Sequence, residues 1–546
     1  MFRSTIGEVV GWSLLWLAVC SAKVQAMENA SVDCWRVAEL DFTTVQEYPN
    51  PYRDVSLTAR FEGPGGRTIT RPGFWFDGNR WKIRFAPTAV GTWTWRTACS
   101  NAHDPGLHGR TGTIDCRPYG GDLPVYRRGF IRISGDRRHF VYADGTPFFW
   151  LGDTHWMMAD TEQIDRCNHP DHAGRPCPHG GQFQHIVADR LAKRFTVYQT
   201  YPNVSAQHWW AEKYDRIDVG RFNREFDFEI DYLAARGFVI AMGLGHLTAP
   251  NHVPETDLKR WARYIVARYG AYPVVWITGQ EINAPQVDVE IWKRVAAEID
   301  RADGYSHPHS GHQWVIDSKT RPLGNEPWHD WFALQGGHGG NKPQPKSFYK
   351  DYWDFTPIKP VLETEANYEL VQCGGKADQD GVRFQAYKAI GCGSCGYTYG
   401  GAGIWACRWS RDDTRWLDYN REAWFDGLDL PGSRQMKLLR KFYEGLPWWK
   451  LVPRWDDPAW AAWENPEQSV LSSDGNSTYV VYFYAAGTAT GTLKSMDAKV
   501  AYTARWFDPR TGKYRLASDS IKPMNGDWAV PEKPDAKDWL LVVNKK

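Results

Sequence analysis

The 546-residue chain has no excess of either charge: 65 Lys and Arg stand against 64 Asp and Glu, a formal net charge of +1. Without a basic excess there is no electrostatic footprint for a polyphosphate backbone or an anionic lipid surface, so nucleic acid is not an expected partner. Beyond its first residues the chain also lacks any run of the roughly 18 apolar residues that crossing a bilayer requires, and no membrane span is expected. It has no His-Glu-x-x-His and no nucleophile elbow, so the peptidase and hydrolase chemistries built on those motifs are excluded. With 42% hydrophobic and 24% charged residues it is not a disordered chain either.

Aromatic residues are plentiful: 30 Trp, 26 Tyr and 24 Phe. Such side chains fill cores, and Trp and Tyr also offer flat faces with a polar handle that suit stacking on sugar rings. At the N-terminus, Arg3 precedes an apolar stretch from Val9 to Cys20, and Val24-Gln25-Ala26 supplies a small-x-small site before Met27. This reads as a secretory signal peptide over residues 1–26, with secretion or periplasmic residence as the expectation. Leu17-Ala18-Val19-Cys20 offers a lipid-anchor alternative, imperfect because Val19 stands where a small residue is expected. Export makes disulfides the default for the cysteines. Cys99 with Cys116, Cys167 with Cys177, and a pairing among Cys392, Cys395 and Cys407 are the candidates. The cluster Cys167, His169, Asp171, His172, Cys177 and His179 has the composition of a zinc site, against the plainer reading of a disulfide-closed surface lid.

Three regions follow. Residues 27–125 carry short alternating segments punctuated by Gly and Pro: Val55, Leu57, Ala59 and Phe61 share one face, and Trp81, Ile83 and Phe85 alternate with Lys82 and Arg84. Period-two alternation predicts a β-sandwich. Residues 126–452 show eight apolar, strand-like runs separated by charged, helix-like stretches: 147–153, 195–201, 238–244, 274–281, 307–312, 331–336, 360–365 and 396–400. Eight alternations over this length predict an α/β fold, a (β/α)8 TIM barrel. Residues 453–546 return to strands and turns, predicting a second, smaller β-sandwich.

In such a barrel the chemistry sits at the C-terminal ends of the strands. The fourth run ends on Glu281 and the seventh on Glu365, so two carboxyl groups are expected to face each other across the mouth, as an acid and a nucleophile must about a glycosidic bond. Glu363 and Glu365 share parity, which predicts that both point inward with Glu365 nearer the mouth; Glu365 is assigned as nucleophile, Glu363 as a support, and Glu281 as acid and then base. Other strand ends supply candidate sugar contacts: Asp153, His155 and Trp156 after the first; Gln199, Tyr201 and Asn203 on the second; His246; Gln280; His312; Gln335 and His338. Tyr368 is placed to hydrogen-bond Glu365.

The run from His139 to Trp156, ending Leu151-Gly152-Asp153-Thr154-His155-Trp156, together with Pro360 to Glu369 and Tyr399-Gly400-Gly401-Ala402-Gly403-Ile404-Trp405, resembles the apiosidase-like (β/α)8 glycoside hydrolases. Members commonly carry an N-terminal β-sandwich, to which Asn50-Pro51-Tyr52-Arg53-Asp54-Val55 is similar, and a small C-terminal β domain labelled collagen-binding, which Trp506-Phe507-Asp508-Pro509-Arg510-Thr511-Gly512 resembles. The resemblance spans nearly the whole chain and implies a retaining glycosidase acting on plant or microbial polysaccharide, with Tyr399 and Trp405 near the pocket and no cofactor. Two departures fall in that pocket. The family's Trp-x-x-Gly-Gly-Asp is here Trp276-Ile277-Thr278-Gly279-Gln280-Glu281, and Tyr399 stands where the family often has His, so apiose specificity is not carried over. Two other readings compete with the glycosidase: a non-catalytic polysaccharide-binding protein, and a metal-dependent hydrolase using the Cys167 to His179 cluster.

Overall fold

A computed structural model describes residues 24–26, 29–167, 178–314, 323–338, 340–373, 375–414, 419 and 421–546. The apolar run of the expected signal peptide, and most of the Cys167 to His179 cluster, lie outside the described residues.

A curled sheet of seven parallel strands forms the centre. Its strands are β1 (Trp150–Thr154), β2 (Val197–Thr200), β3 (Val239–Met242), β4 (Val274–Trp276), β5 (Phe332–Gln335), β6 (Val361–Glu365) and β7 (Ser394–Tyr399), in the spatial order β4-β3-β2-β1-β7-β6-β5. Every residue of these strands is buried. Their near-continuous apolar runs need exactly that, because a parallel sheet is covered on both faces. A principal helix follows each strand: α1 (Gln182–Ala192), α2 (Asp227–Ala234), α3 (Glu255–Tyr269), α4 (Val289–Ala302), α5 (Lys346–Trp353), α6 (Gln379–Gly391) and α7 (Pro431–Glu444). Asp288 and Asp378 cap α4 and α6 by accepting from backbone N–H groups of the first turn. On α3, Leu258, Trp261 and Ile265 form the buried stripe.

Seven of the eight expected strands are present. The fifth run, residues 307–312, forms no strand of its own, but it bridges the two edges of the sheet: His309 pairs with Trp276 on β4 and His312 with Ala333 on β5, both parallel. Pro308 removes a donor at that point, and the ring nitrogens of His307 and His309 bond Gly270 O and Thr278 Oγ1. The fourth strand also ends earlier than expected, at Trp276, and Glu281 stands in a turn beyond it.

The N-terminal region contains a four-stranded and a five-stranded sheet around a shared core that includes Leu40, Phe61, Ile83, Phe85 and Trp93, with Phe61 and Phe85 stacked 3.9 Å apart. Strand Leu57–Gly63 follows the expected alternation. Strand Arg80–Phe85 does not, because Lys82 and Arg84 are buried as well as Trp81, Ile83 and Phe85. Its second face packs on the central body rather than on water. There the Arg84 guanidinium bonds Asp227 (2.5 and 3.1 Å), Arg268 O (2.8 Å) and Glu39 (2.8 Å), and Arg268 reaches Asp227 at 2.9 Å. Arg71 donates to Val266 O at 2.8 Å. Two arginines of the N-terminal region thus meet carbonyls of the last turn of α3, where Val266 O also accepts from Gly270 N.

The C-terminal region has a six-stranded and a three-stranded sheet. One face of strand Thr478–Phe483 carries Tyr479 and Val481 into the local core. The other carries Val480 and Tyr482 toward α6, where Tyr482 meets Tyr387 and Arg383 pairs with Asp538 at 2.7 and 2.8 Å. Burial on both faces accounts for the absence of polar alternation there.

Two disulfide expectations fail. Cys99 and Cys116 are free, because the antiparallel register sets Gly91 opposite Cys116 and leaves Cys99 at the far end of the strand. Cys392 and Cys395 are free thiols buried at the start of β7, so no pair forms among Cys392, Cys395 and Cys407. Cys167 is disulfide-bonded. Among the described residues no helix is long and apolar enough to cross a membrane.

Asp227 balances two buried guanidinium groups, so Asp227→Asn should leave uncompensated buried charge and cost about 3–5 kcal/mol. Urea unfolding midpoints of the full chain measure this; a loss below about 1 kcal/mol would mean that the network carries little of the junction's stability.

Candidate active site

The C-terminal ends of β4, β5 and β6 bring Glu281, Gln335 and Glu365 together. Glu281 lies in the turn Thr278-Gly279-Gln280-Glu281, with left-handed backbone at Thr278 (φ 50°) and at Glu281 itself (φ 49°). Such conformations cost about 1–3 kcal/mol for residues other than glycine and persist only where surrounding structure imposes them. Here Gln280 N donates to Gly245 O, Ile282 N to His312 O and Glu281 N to His312 Nδ1, while Thr278 Oγ1 bonds His309. Gln335, the last residue of β5, donates from Nε2 to Glu281 Oε1 at 2.6 Å. Its amide also helps to lower the proton affinity of Glu365.

Glu365 ends β6 and is buried. Trp156 Nε1 donates to its Oε2 at 2.9 Å and to Tyr368 Oη at 3.0 Å; His338 Nε2 lies 3.3 Å from Oε1 and His312 Nε2 3.4 Å from Oε2. Tyr368 is thus tied to Glu365 through the shared Trp156 N–H. A side chain at Gly400 would collide with the Tyr368 ring, since a Cβ there would stand 2.2 Å from it.

These surroundings push the two acids apart in proton affinity. Burial and the charge of Glu365 raise Glu281 to about 8, against a smaller opposing effect of Gln335. Burial acts on Glu365 in the same sense, but hydrogen bonding, led by His338, outweighs it and holds Glu365 below its usual range. Burial lowers His312 to about 4, so at neutral pH it faces Glu365 as an uncharged imidazole.

Glu363 departs from expectation. Its carboxylate accepts from Gly336 N (2.7 Å), Tyr349 Oη (2.8 Å) and Gln385 Nε2 (3.3 Å), so it points to α5 and α6 while Glu365 points to the strand-end cluster. Equal parity fails because the strand pairing is irregular at this position: Leu334 faces Glu363 and the next residue, Gln335, faces Glu365. The extra residue, Thr364, is a bulge, which re-aims the side chain that follows.

Of the expected sugar contacts, Trp156, Tyr201, Gln280, Gln335 and Tyr368 cluster with the two acids. Tyr201 donates to Gln280 Oε1 at 2.9 Å and its ring lies 5.5 Å from that of Trp156. Trp405 lies 6.3 Å from Tyr368. Asn203 and His246 are partly exposed on the loops after β2 and β3, engaged with Ser205 N and Thr248. Three others stand apart from the two acids. Asp153 and His155 are fully buried in a chain in which Arg190 of α1 bonds Asp153, His155 bridges Asp153 (2.9 Å) and Glu162 (3.0 Å), and Tyr198 stacks on His155 at 3.7 Å. Strand alternation turns Asp153 toward the helix layer, opposite to Thr154. Tyr399 is likewise buried, donating to Glu369 at 2.7 Å. Sequence reasoning missed Glu162, Arg190 and Tyr349, which lie in segments without strand-end signals. It noted His312 and His338 but not that they flank Glu365. The metal reading loses one of its ligands, since Cys167 is in a disulfide; His169, His172 and Cys177 lie outside the described residues.

A curled parallel α/β sheet with paired acids at its C-terminal rim defines a glycoside-hydrolase-like protein. A model of the family described as "Apiosidase-like, catalytic domain" matches residues 134–450, more than half of the chain, and the chain belongs to that family. Residues 31–100 match a domain of unknown function, DUF5060, and residues 461–544 match the "Putative collagen-binding domain of a collagenase". No curated protein matches. Among solved structures, a "putative glycoside hydrolase" of Bacteroides vulgatus is 19% identical over 95% of this chain and 100% of that one, with a TM-score of 0.72. Another structure, described as a glycoside hydrolase, is 21% identical over 78% and 98% (TM-score 0.64). A glycoside hydrolase family 5 protein of Bacteroides vulgatus is 20% identical over 78% and 94% (TM-score 0.62). These likenesses are of fold.

Glu363 is raised by burial from an ordinary 4.5 to about 8. An acid whose folded pKa exceeds its unfolded one stabilises the fold below about pH 4.5, and that contribution drains away as pH rises toward 8. Glu281 contributes a second slope of the same sign. Glu363→Gln should therefore lose stability less steeply between pH 5 and 8.5 than the parent, as followed by denaturant midpoints; parallel slopes in the two proteins would contradict a buried, protonated Glu363.

Proposed function

We propose that this protein is an exported retaining glycoside hydrolase acting on plant or microbial polysaccharide, with Glu365 as nucleophile and Glu281 as general acid and then general base. The observation that carries this reading is the opposite proton bias of two carboxyl groups that feel each other's charge at the strand ends. A double displacement needs one acid protonated and one ionised at the same pH, and Glu281 near 8 beside a depressed Glu365 meets that need.

In the first step Glu365 attacks the anomeric carbon as Glu281 gives its proton to the departing oxygen. In the second, Glu281, now ionised, takes a proton from water as that water attacks the same carbon and frees Glu365. Trp156, Tyr368 and the neutral His312 orient the nucleophile. Tyr201, Gln280, Asn203, His246 and Trp405 are the proposed sugar contacts. In the architecture proposed with it, residues 126–452 form a (β/α)8 barrel whose fifth staff is the bridging segment 307–312, flanked by β-sandwiches at 27–125 and 453–546, and residues 1–26 are a cleaved signal peptide.

A panel of aryl glycosides and complex polysaccharides identifies the sugar. On the best substrate, Glu365→Gln should abolish turnover and Glu281→Gln should reduce it about 10²–10⁴-fold, least for the best leaving groups. The alkaline limb of the kcat/KM profile should lie near pH 8 in the parent and vanish in Glu281→Gln. Proton NMR of the first-formed product should show the substrate's own anomeric configuration. Inversion would refute the double displacement, and undiminished turnover in both variants would refute the assignment of these two acids.

A further inference from the structure

Away from these acids, a cleft of about 650 Å³ opens between the N-terminal region and the outer surface of α3 and α4. It shares no lining residue with the Glu281 and Glu365 cluster, and its size falls within the roughly 300–1,000 Å³ of ligand sites. Tyr52, Arg53 and Trp81 line it from the N-terminal side; Arg260 and Arg263 of α3 and Arg301 of α4 line it from the other.

Its chemistry is one-sided. Four guanidinium groups face a single lining carboxylate, Asp54, which already accepts from Asn50 N at 2.8 Å. The arginines have acidic neighbours outside the lining: Arg53 pairs with Asp215, Arg260 with Asp257, and Arg263 and Arg301 share Glu298. Those pairs engage one or two of the five N–H donors that each guanidinium carries, and the rest remain available. Two further polar atoms of the lining residues, Tyr52 Oη and Trp81 Nε1, are buried without a hydrogen-bond partner among the described residues. Phe74, Trp75 and Tyr264 complete an aromatic lining. A donor-rich, acceptor-poor cleft with aromatic faces suits a ligand that combines sugar rings with anionic oxygens.

We infer that this cleft is a second, non-catalytic glycan site that binds an acidic oligosaccharide, with carboxylate or sulfate groups accepting from Arg263 and Arg301 and sugar rings against the aromatic lining. Such a site would hold a charged polysaccharide on the enzyme while another part of the chain enters the strand-end pocket.

Calorimetric titration of the full chain with tetragalacturonate, a heparin-derived tetrasaccharide and cellotetraose tests this. At least one anionic probe should bind the parent, at least tenfold more tightly than cellotetraose, and which one binds separates carboxylate from sulfate recognition. Arg263→Gln with Arg301→Gln, whose side chains are 44% and 66% exposed and so are not part of a core, should weaken that binding at least tenfold. Glu281→Gln with Glu365→Gln should leave it unchanged, whether or not the protein hydrolyses any glycoside. Absence of binding by both anionic probes, equal binding of cellotetraose, or an affinity lost with the two glutamates but kept without the two arginines would overturn the proposal.

Discussion

Two carboxyl groups brought into one buried pocket cannot both ionise without a large electrostatic cost, and the organisation of the strand ends follows from how that conflict is resolved. Glu365 has partners at both oxygens: Trp156 Nε1 donates to one and His338 Nε2 meets the other. Glu281 has Gln335 and otherwise sits in a poorly solvated turn. The charge therefore settles on Glu365 and the proton on Glu281. Because Glu281 feels the charge of Glu365 directly, its proton affinity is tied to the position of its neighbour. The buried side chains beneath them, including Glu363 on Gly336 N, hold the segment from Gln335 to His338 in place.

The flanking sheets are joined to the central body through buried polar networks as well as apolar contact. On one side Glu39, Arg84, Asp227 and Arg268 form a connected set of charges that Lys82 joins through Glu39; on the other Arg383 is matched by Asp538. A charge buried at a junction must find its partner there or destabilise the fold, so these contacts fix orientation more than they add stability. This is also the reason that Lys82 and Arg84, which in the text look like the solvated face of a strand, are buried. The Arg-lined cleft lies beside the same junction and exists only because the N-terminal sheets are set against α3 and α4 in this orientation.

Much was legible from residue order. Seven parallel strands, the helices after them, the strand pattern of both terminal regions and the approach of Glu281 to Glu365 all follow from local periodicity and from the rule that strand ends carry the chemistry. Errors arose where a local rule met a non-local partner. Thr364 bulges because β5 and β6 are out of step, so Glu363 turns to the helices. Asp153 reads as a strand-end acid, but its alternation faces Arg190. Tyr399 has its partner in Glu369. The fifth staff carries Pro308 and three histidines whose rings are occupied elsewhere, and it bridges its neighbours only at isolated points.

The sequence by itself determined which segments are strands and helices and which acids end them, because hydrophobic periodicity and capping act between neighbours along the chain. Only tertiary structure decided which carboxyl keeps its proton, which way each side chain leaves its strand, and which cysteines meet. Those outcomes depend on burial, on strand register and on partners hundreds of residues away, and no local pattern encodes them.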